Sequence, residues 1–334
     1  MDDEGVNMGT KKMSFGQATL EAMQFAMDED PSVVVVGEDI SWGGNFGQFR
    51  GLVDKYGPER VVDMPISESL IVALSVGASV AGLKIVASMS FVEFTLGAMD
   101  EIVNQAAKFR YMFGGQVSVP IVLRASDGIR GSSGAQHSSS LEGMFCNIPG
   151  IKIVAPSNGN DAKGLLRSAI ADPDPVVYFE HKKITGQRAP VEEGDFVVPL
   201  GSAKVVREGA DLTIVSYSNM LNHALTAAQV IADEDGVSVE VVDLRSIVPL
   251  DIKTITESAS KTGKVLIAHE SWAMGGFGAE VMAQIHEALP DRRDLRVYRL
   301  GSKTAPIPFS PQLEPAVVPG VPDLVREIRR ILAG

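Results

Sequence analysis

The chain has 334 residues, with 42 Asp and Glu against 30 Lys and Arg, a formal net charge of −12 and a single cysteine, Cys146. That balance argues against a nucleic-acid binder, which needs clustered Lys and Arg to meet phosphates, and one cysteine rules out an internal disulfide or a cysteine-rich metal site. A 45% hydrophobic fraction with only 22% charged residues predicts an apolar surface partly covered by other subunits, on a chain long enough for two domains.

Residues 1–12 are expected to be disordered, and their acids, with no apolar stretch behind them, fit neither a secretory signal nor a transit peptide. Apolar residues at helical spacing (Phe15, Ala18, Ala22, Phe25, Ala26) predict a helix over 15–27 that Asp30-Pro31 ends. Residues 33–36 are a valine run of the kind a parallel sheet buries on both faces. Glu38-Asp39 and a glycine-rich loop over 43–51 follow. Val61 and Val62 predict a short strand that stops at Met64-Pro65, because the residue before a proline is pushed towards extended backbone. A helix then starts at Glu68, with Ser67 as its cap. Further strands are expected at 85–88, 121–125, 151–155 and 176–179, with helices at 96–111 and 161–170; this alternation means a parallel, doubly wound α/β domain.

The stretch 186–199, rich in Gly, Pro and acid, reads as a linker. Beyond it, strands at 212–217, 239–244, 265–269 and 295–300 alternate with helices near 220–231, 252–260, 280–288 and 323–332. They predict a second, smaller α/β domain, with expected boundaries at 13–186, 187–204 for the linker and 205–334. No repeat period is present. The longest apolar run, 70–83, is too short and too rich in Gly and Ser to span lipid, so a cytoplasmic protein without membrane contact is expected.

Generic catalytic motifs are absent: there is no P-loop, GxSxG, HExxH or dinucleotide GxGxxG, and the GGFGAE at 275–280 has the wrong spacing. Two residues stand out instead. Glu68 sits in a helix first turn among Ile66, Leu70, Ile71 and Val72, where an acid is either a solvated helix-start residue or a group set to exchange a proton. Ser75, Gly77, Ala78, Ser79, Ala81 and Gly82 give the same helix a small-residue face suited to close packing against another helix. His137 lies in GIRGSSGAQHSSS, a loop of small residues that can approach a ligand closely and that is long for a plain connection. His181, His223, His269 and His286 lie on strand ends or helices and read as structural or surface groups. Cys146 reads as a buried structural thiol.

The PISE at 65–68 with its small-residue helix, Phe94 in SFVEF, and His137 in AQHS together resemble the β subunit of thiamine diphosphate-dependent 2-oxo acid dehydrogenases. These are the E1 components of the pyruvate, branched-chain and acetoin dehydrogenase complexes. The resemblance runs from about Phe15 to the C-terminus, and VVDLRSIVPLD at 241–251 resembles the strand and turn of the transketolase C-terminal-type domain. It implies an N-terminal transketolase-type pyrimidine-binding domain, followed by a C-terminal domain whose main role is assembly.

The resemblance further implies that Glu68 hydrogen-bonds N1′ of the cofactor's aminopyrimidine, that Phe94 packs against that ring, and that His137 serves proton transfer during acyl transfer to lipoyl. Glu38 matches an acid near the subunit interface that links active sites, although a salt bridge or a helix cap accounts for it equally. A structural potassium ion would be bound at Ile121, Ala169, Asp172 and Asp174. The glycine-aspartate stretch that holds Mg²⁺ and the diphosphate is missing, which implies an E1 α subunit as its source in an α2β2 heterotetramer, with an E2 lipoyl acyltransferase as acceptor. The expected activity is that of an oxidoreductase acting on 2-oxo acids with a disulfide (lipoyl) acceptor.

Ser69, Leu70 and Ala73 depart from the family pattern beside Glu68, and NQAAKFRYMFGG at 104–115 resembles acetoin dehydrogenase β subunits. The substrate is therefore open between pyruvate, a branched 2-oxo acid and acetoin. Two alternatives stand beside this reading. One is a split transketolase-like carboligase, which would need clustered cations such as Arg124, Arg130 and His137; the other is a non-catalytic assembly subunit.

Overall fold

A computed structural model describes residues 9–334. A seven-stranded sheet runs in the order Ser246–Val248, Lys152–Val154, Val176–His181, Ile121–Asp127, Lys84–Phe91, Val33–Gly37, Val61–Asp63, parallel except at its first strand. The valine run shows why it is buried twice over. Val33 and Val35 pack with Met23 and Leu165 on one face, and Val34 and Val36 pack with Ile71 and Val72 on the other. Helices Phe15–Glu29 and Gly159–Ala171 therefore cover one face and Glu68–Val80 the other, as the crossovers of a parallel sheet require.

The second sheet has five strands in the order Arg296–Ser302, Lys264–Trp272, Leu212–Ser216, Val239–Asp243, Lys204–Arg207, with only the last antiparallel. One apolar core joins the halves, running from Leu123 and Phe179 through Tyr217 and Val242 to Phe277. Arg245 bridges them as well, its guanidinium 3.0 Å from the Asp161 carboxylate.

Three expectations need correction, and one strand was not expected. Residues 10–12, expected to be disordered, belong to strand Thr10–Ser14, which pairs antiparallel with Arg188–Glu192; residues 1–8 lie outside the described residues. That partner strand occupies the beginning of the expected linker, so each segment satisfies the other's backbone groups. Strand Ser246–Val248 crosses from the second half of the chain to the edge of the first sheet. The single helix expected over 96–111 is instead a 3₁₀ segment Val92–Ala98, a π segment Glu101–Ala106 and a short α-helix Phe109–Met112. Thr95 Oγ1 donates to the Val92 carbonyl at 2.6 Å, a local bond that competes with regular helix.

Candidate functional site

Glu68 is placed by the turn that the proline imposes. Met64 N donates to the Gly37 carbonyl at 2.8 Å, which ties the PISE segment to the end of strand Val33–Gly37. Helix Glu68–Val80 then begins with Ser67 at the cap position, but the Ser67 side chain makes no capping bond, contrary to the sequence expectation. Glu68 is half-buried, and the 3₁₀ segment lies against it: a Cβ on Gly97 would stand 3.9 Å from Glu68 Oε2. Glu38 directly follows the end of strand Val33–Gly37, near enough for the Glu68 charge to act on it. Burial raises its pKa, and the charges of Glu68 and Asp39 raise it further.

The segment that lies against Glu68 also carries Phe94. Its ring meets His137 edge-on at 5.6 Å between centroids, and Phe91 lies 4.7 Å from His137, 5.4 Å from Phe94 and 5.7 Å from Phe46. These are favourable aromatic geometries. Glu38, Glu68, Phe94 and His137 are thus brought to one end of the sheet, beyond the C-terminal ends of its central strands, where open α/β sheets hold ligands. Sequence reasoning missed Phe91, although SFVEF contains it.

Behind His137 lies a buried polar cluster that local sequence does not announce. Glu270 accepts from His181 Nε2 at 3.0 Å and from Ile129 N at 2.6 Å. Burial alone would raise the Glu270 pKa, but the charge and hydrogen bond of His181 hold it below the usual carboxylate value. Asp127, next to this pair, is pushed up to about 8 by burial despite the charge of His181, and Glu142 is pushed up to about 7 by burial. Lys182 is held below the usual lysine range by burial, against the pull of Glu93, Asp127 and Glu270. The Cys146 thiol is pushed up to about 12 by burial and by Glu142, which leaves it unreactive.

The four potassium candidates lie at the other end of the sheet. Ile121 begins its strand, Ala169 is in the last turn of helix Gly159–Ala171, and Asp172 caps that helix. Lys152 Nζ stands 2.7 Å from both Asp172 oxygens, while Arg110 pairs with Asp174 at 2.7 Å. Arg124 does not reach the His137 region. It is buried and paired with Glu180 at 2.7 Å, with a further bond to Thr19. Arg130 is exposed, its guanidinium 5.7 Å from the centre of the Phe46 ring. Among the described residues no group of three or more His, Cys, Asp or Glu is arranged to hold a metal, and no helix is long and apolar enough to cross a membrane.

Comparison with known proteins agrees with this architecture. Residues 11–187 match the family model of the transketolase pyrimidine-binding domain, and residues 201–324 match that of the transketolase C-terminal domain. The chain is 41% identical over 325 residues to the pyruvate dehydrogenase E1 component subunit beta-2 of Oryza sativa, covering 96% of this chain and 86% of that protein. It is 38% identical over 335 residues to the β subunit of acetoin:2,6-dichlorophenolindophenol oxidoreductase of Cupriavidus necator, covering 97% and 98%. Among solved structures, a split-gene transketolase described as an inactive β4 tetramer superimposes with a TM-score of 0.76 at 25% identity, covering 96% of this chain and 97% of that one.

Proposed function

The chain belongs to the family of transketolase-type β subunits of pyruvate and acetoin dehydrogenases, and from that premise we propose that it is the E1 β subunit of a 2-oxo acid or acetoin dehydrogenase complex. With an α subunit it would carry out oxidative decarboxylation, or acetoin cleavage, and pass the acyl group to lipoyl on an E2 acyltransferase. The observation that carries this reading is the convergence of Glu68, Glu38, Phe94 and His137 at one sheet end.

The residues present fit one end of thiamine diphosphate. Glu68 offers a carboxyl to a ring nitrogen, with Glu38, whose pKa burial raises, near enough for the two charges to act on each other, and Phe94 offers an aromatic edge or face. When bound, the cofactor supplies the electron sink that makes carbon–carbon cleavage possible. Glu68 would hold the pyrimidine N1′ by a hydrogen bond, and His137 would hold and move a proton at the acyl-transfer step. The diphosphate and Mg²⁺ would be held by the α subunit. A structural potassium ion at Ile121, Ala169, Asp172 and Asp174 would share those acids with Lys152 and Arg110, remote from the chemistry. We place the complex in the cytoplasm.

An α2β2 assembly is supported by what helix Glu68–Val80 leaves uncovered. Leu70, Leu74 and Val80 are 44%, 39% and 42% exposed, and Ile66 just before them is 83% exposed. An apolar face of this kind is suited to a partner subunit. The carboligase alternative loses ground because Arg124 is committed to Glu180 and cannot help bind a sugar phosphate.

Glu68→Gln tests the reading. In the co-expressed αβ enzyme it should cut thiamine-dependent turnover by at least about 10²–10⁴-fold, the usual size of a lost acid–base group, with the mass of the assembly unchanged. Near-normal turnover in an intact assembly would refute it.

A further inference from the structure

Loop 128–140 carries His137, yet among the described residues the imidazole itself is held only by ring edges, those of Phe91 and Phe94. Its position is therefore set through the main chain. Lys182 Nζ donates to the Gly128 carbonyl at 2.9 Å and to the His137 carbonyl at 3.0 Å. One buried ammonium thus clasps the start of the loop and the residue that bears the imidazole.

Gly128 N also donates to the Ser139 carbonyl at 2.8 Å, closing the loop on itself, and the other side-chain restraints on its amides are carboxylates, two of which come from the second half of the chain. Glu270, on strand Lys264–Trp272, accepts from Ile129 N at 2.6 Å, and Glu314 accepts from Ser132 N at 2.8 Å. Glu93 accepts from Ser139 N at 2.6 Å. Gly128 shows how closely the loop is seated on this frame. Its φ of +73° suits glycine, and a Cβ there would collide with His181 Nε2 and stand 2.7 Å from Glu270 Oε1. Ile307, again from the second half, packs against Ile129.

Burying an ammonium and a carboxylate is costly, and a loop held only for stability could be packed with apolar groups instead. Here Lys182 directs its charge at two main-chain carbonyls of the loop, and Glu270, which also pairs with His181, directs its charge at a loop amide. We infer that Lys182 and Glu270 are positioning residues for His137, so that the C-terminal half takes part in acyl transfer and not in assembly alone. This rests on the reading in which His137 serves the acyl-transfer step.

The test uses the αβ enzyme with thiamine diphosphate, Mg²⁺ and each of pyruvate, a branched 2-oxo acid and acetoin, and two acceptors: a lipoylated E2 domain and the dye 2,6-dichlorophenolindophenol. Lys182→Met should lower lipoyl acylation by about 10²-fold, the size of effect that follows from displacing a reacting group by about 1 Å, and should lower dye reduction far less. Lys182→Arg, which can still donate to both carbonyls, should restore much of the lost acylation. Glu270→Gln, which keeps an acceptor for Ile129, should lose less than Glu270→Ala. In a His137→Ala background Lys182→Met should cost nothing further, because both changes remove the same contribution. Equal losses with both acceptors, or a full additional loss in that background, would overturn the inference.

Hydrogen exchange on the same assemblies reads the inference without activity. Amides of loop 128–140 should exchange at least about tenfold faster in Lys182→Met and Glu270→Ala, with peptides from the two sheets unchanged. An unaltered loop would overturn the positioning role. If the wild-type enzyme acylates no lipoyl group while the loop responds as expected, the proposed function fails and the loop's anchoring stands.

Discussion

Replacing Asp127 with Asn should change how stability depends on pH. Asp127 is fully buried, and neither carboxylate oxygen has a hydrogen-bond donor among the described residues. Burial pushes it up to about 8, against the charges of His181 and Lys182 and with those of Glu142 and Glu270; Glu142 is itself pushed up to about 7. A proton on either of these two acids supplies the missing donor. A folded-state pKa above the unfolded value means that the native state holds the proton more tightly. The stabilisation is then fully present below the unfolded pKa and is lost as pH rises through the folded one.

Between pH 6 and 8 the native chain carries nearly one proton on Asp127 that the unfolded chain has released. At about 1.4 kcal/mol per pH unit, this group removes roughly 2 kcal/mol of stability across that window. Asp127→Asn carries no such proton, so its stability relative to wild type should rise by that amount from pH 6 to 8. In thermal unfolding the gap between the two midpoints should shift by ~3 °C in favour of the variant. Parallel pH profiles would show that Asp127 is already ionised in the native state and would refute the reasoning.

Arg124→Met should destabilise the chain by about 3–5 kcal/mol, because it leaves the Glu180 charge buried without its partner. Arg124→Met with Glu180→Leu should recover most of that loss in urea unfolding; a double variant as unstable as the single one would contradict the ion-pair account. Phe91→Leu keeps apolar volume but removes three edge-on ring contacts. At about 0.5–1.5 kcal/mol per contact, it should lower the unfolding midpoint by a few degrees and slow lipoyl acylation by about tenfold. Unchanged acylation would show that Phe91 does not support His137.

Much of the fold was legible because it is written in local runs. Valines over 33–36 and the β-branched strands at 121–125 and 239–244 have no stable place except between two helical layers. The position of Glu68 at a helix start was legible because proline ends the strand before it and a small-residue helix follows. The strand Thr10–Ser14 was not, since TKKMS has no apolar pattern and its partner lies far along the chain. The region after Phe91 has helical apolar spacing, but Thr95 bonds back to Val92 and the backbone winds differently. That irregular winding is what sets Gly97 against Glu68 and Phe94 against His137.

The frame around His137 was illegible for a different reason. Glu93, Lys182, Glu270 and Glu314 are each ordinary charged residues in their own neighbourhoods, and only the fold directs them at one loop. A charged residue is most often a solvated one, so nothing in the sequence separated these four from the surface. The resemblance, for its part, implies mainly an assembly role for the second half of the chain. Its two carboxylates on the histidine loop give it a direct link to the site.

The most direct measurement follows lipoyl acylation by the chain co-expressed with its α subunit, supplied in turn with pyruvate, a branched 2-oxo acid and acetoin, with Mg²⁺ and a lipoylated E2 domain, with and without thiamine diphosphate. The account predicts acylation that requires thiamine diphosphate and disappears in Glu68→Gln while the assembly stays intact. Turnover indifferent to the lipoyl domain, or undiminished in Glu68→Gln, would contradict it.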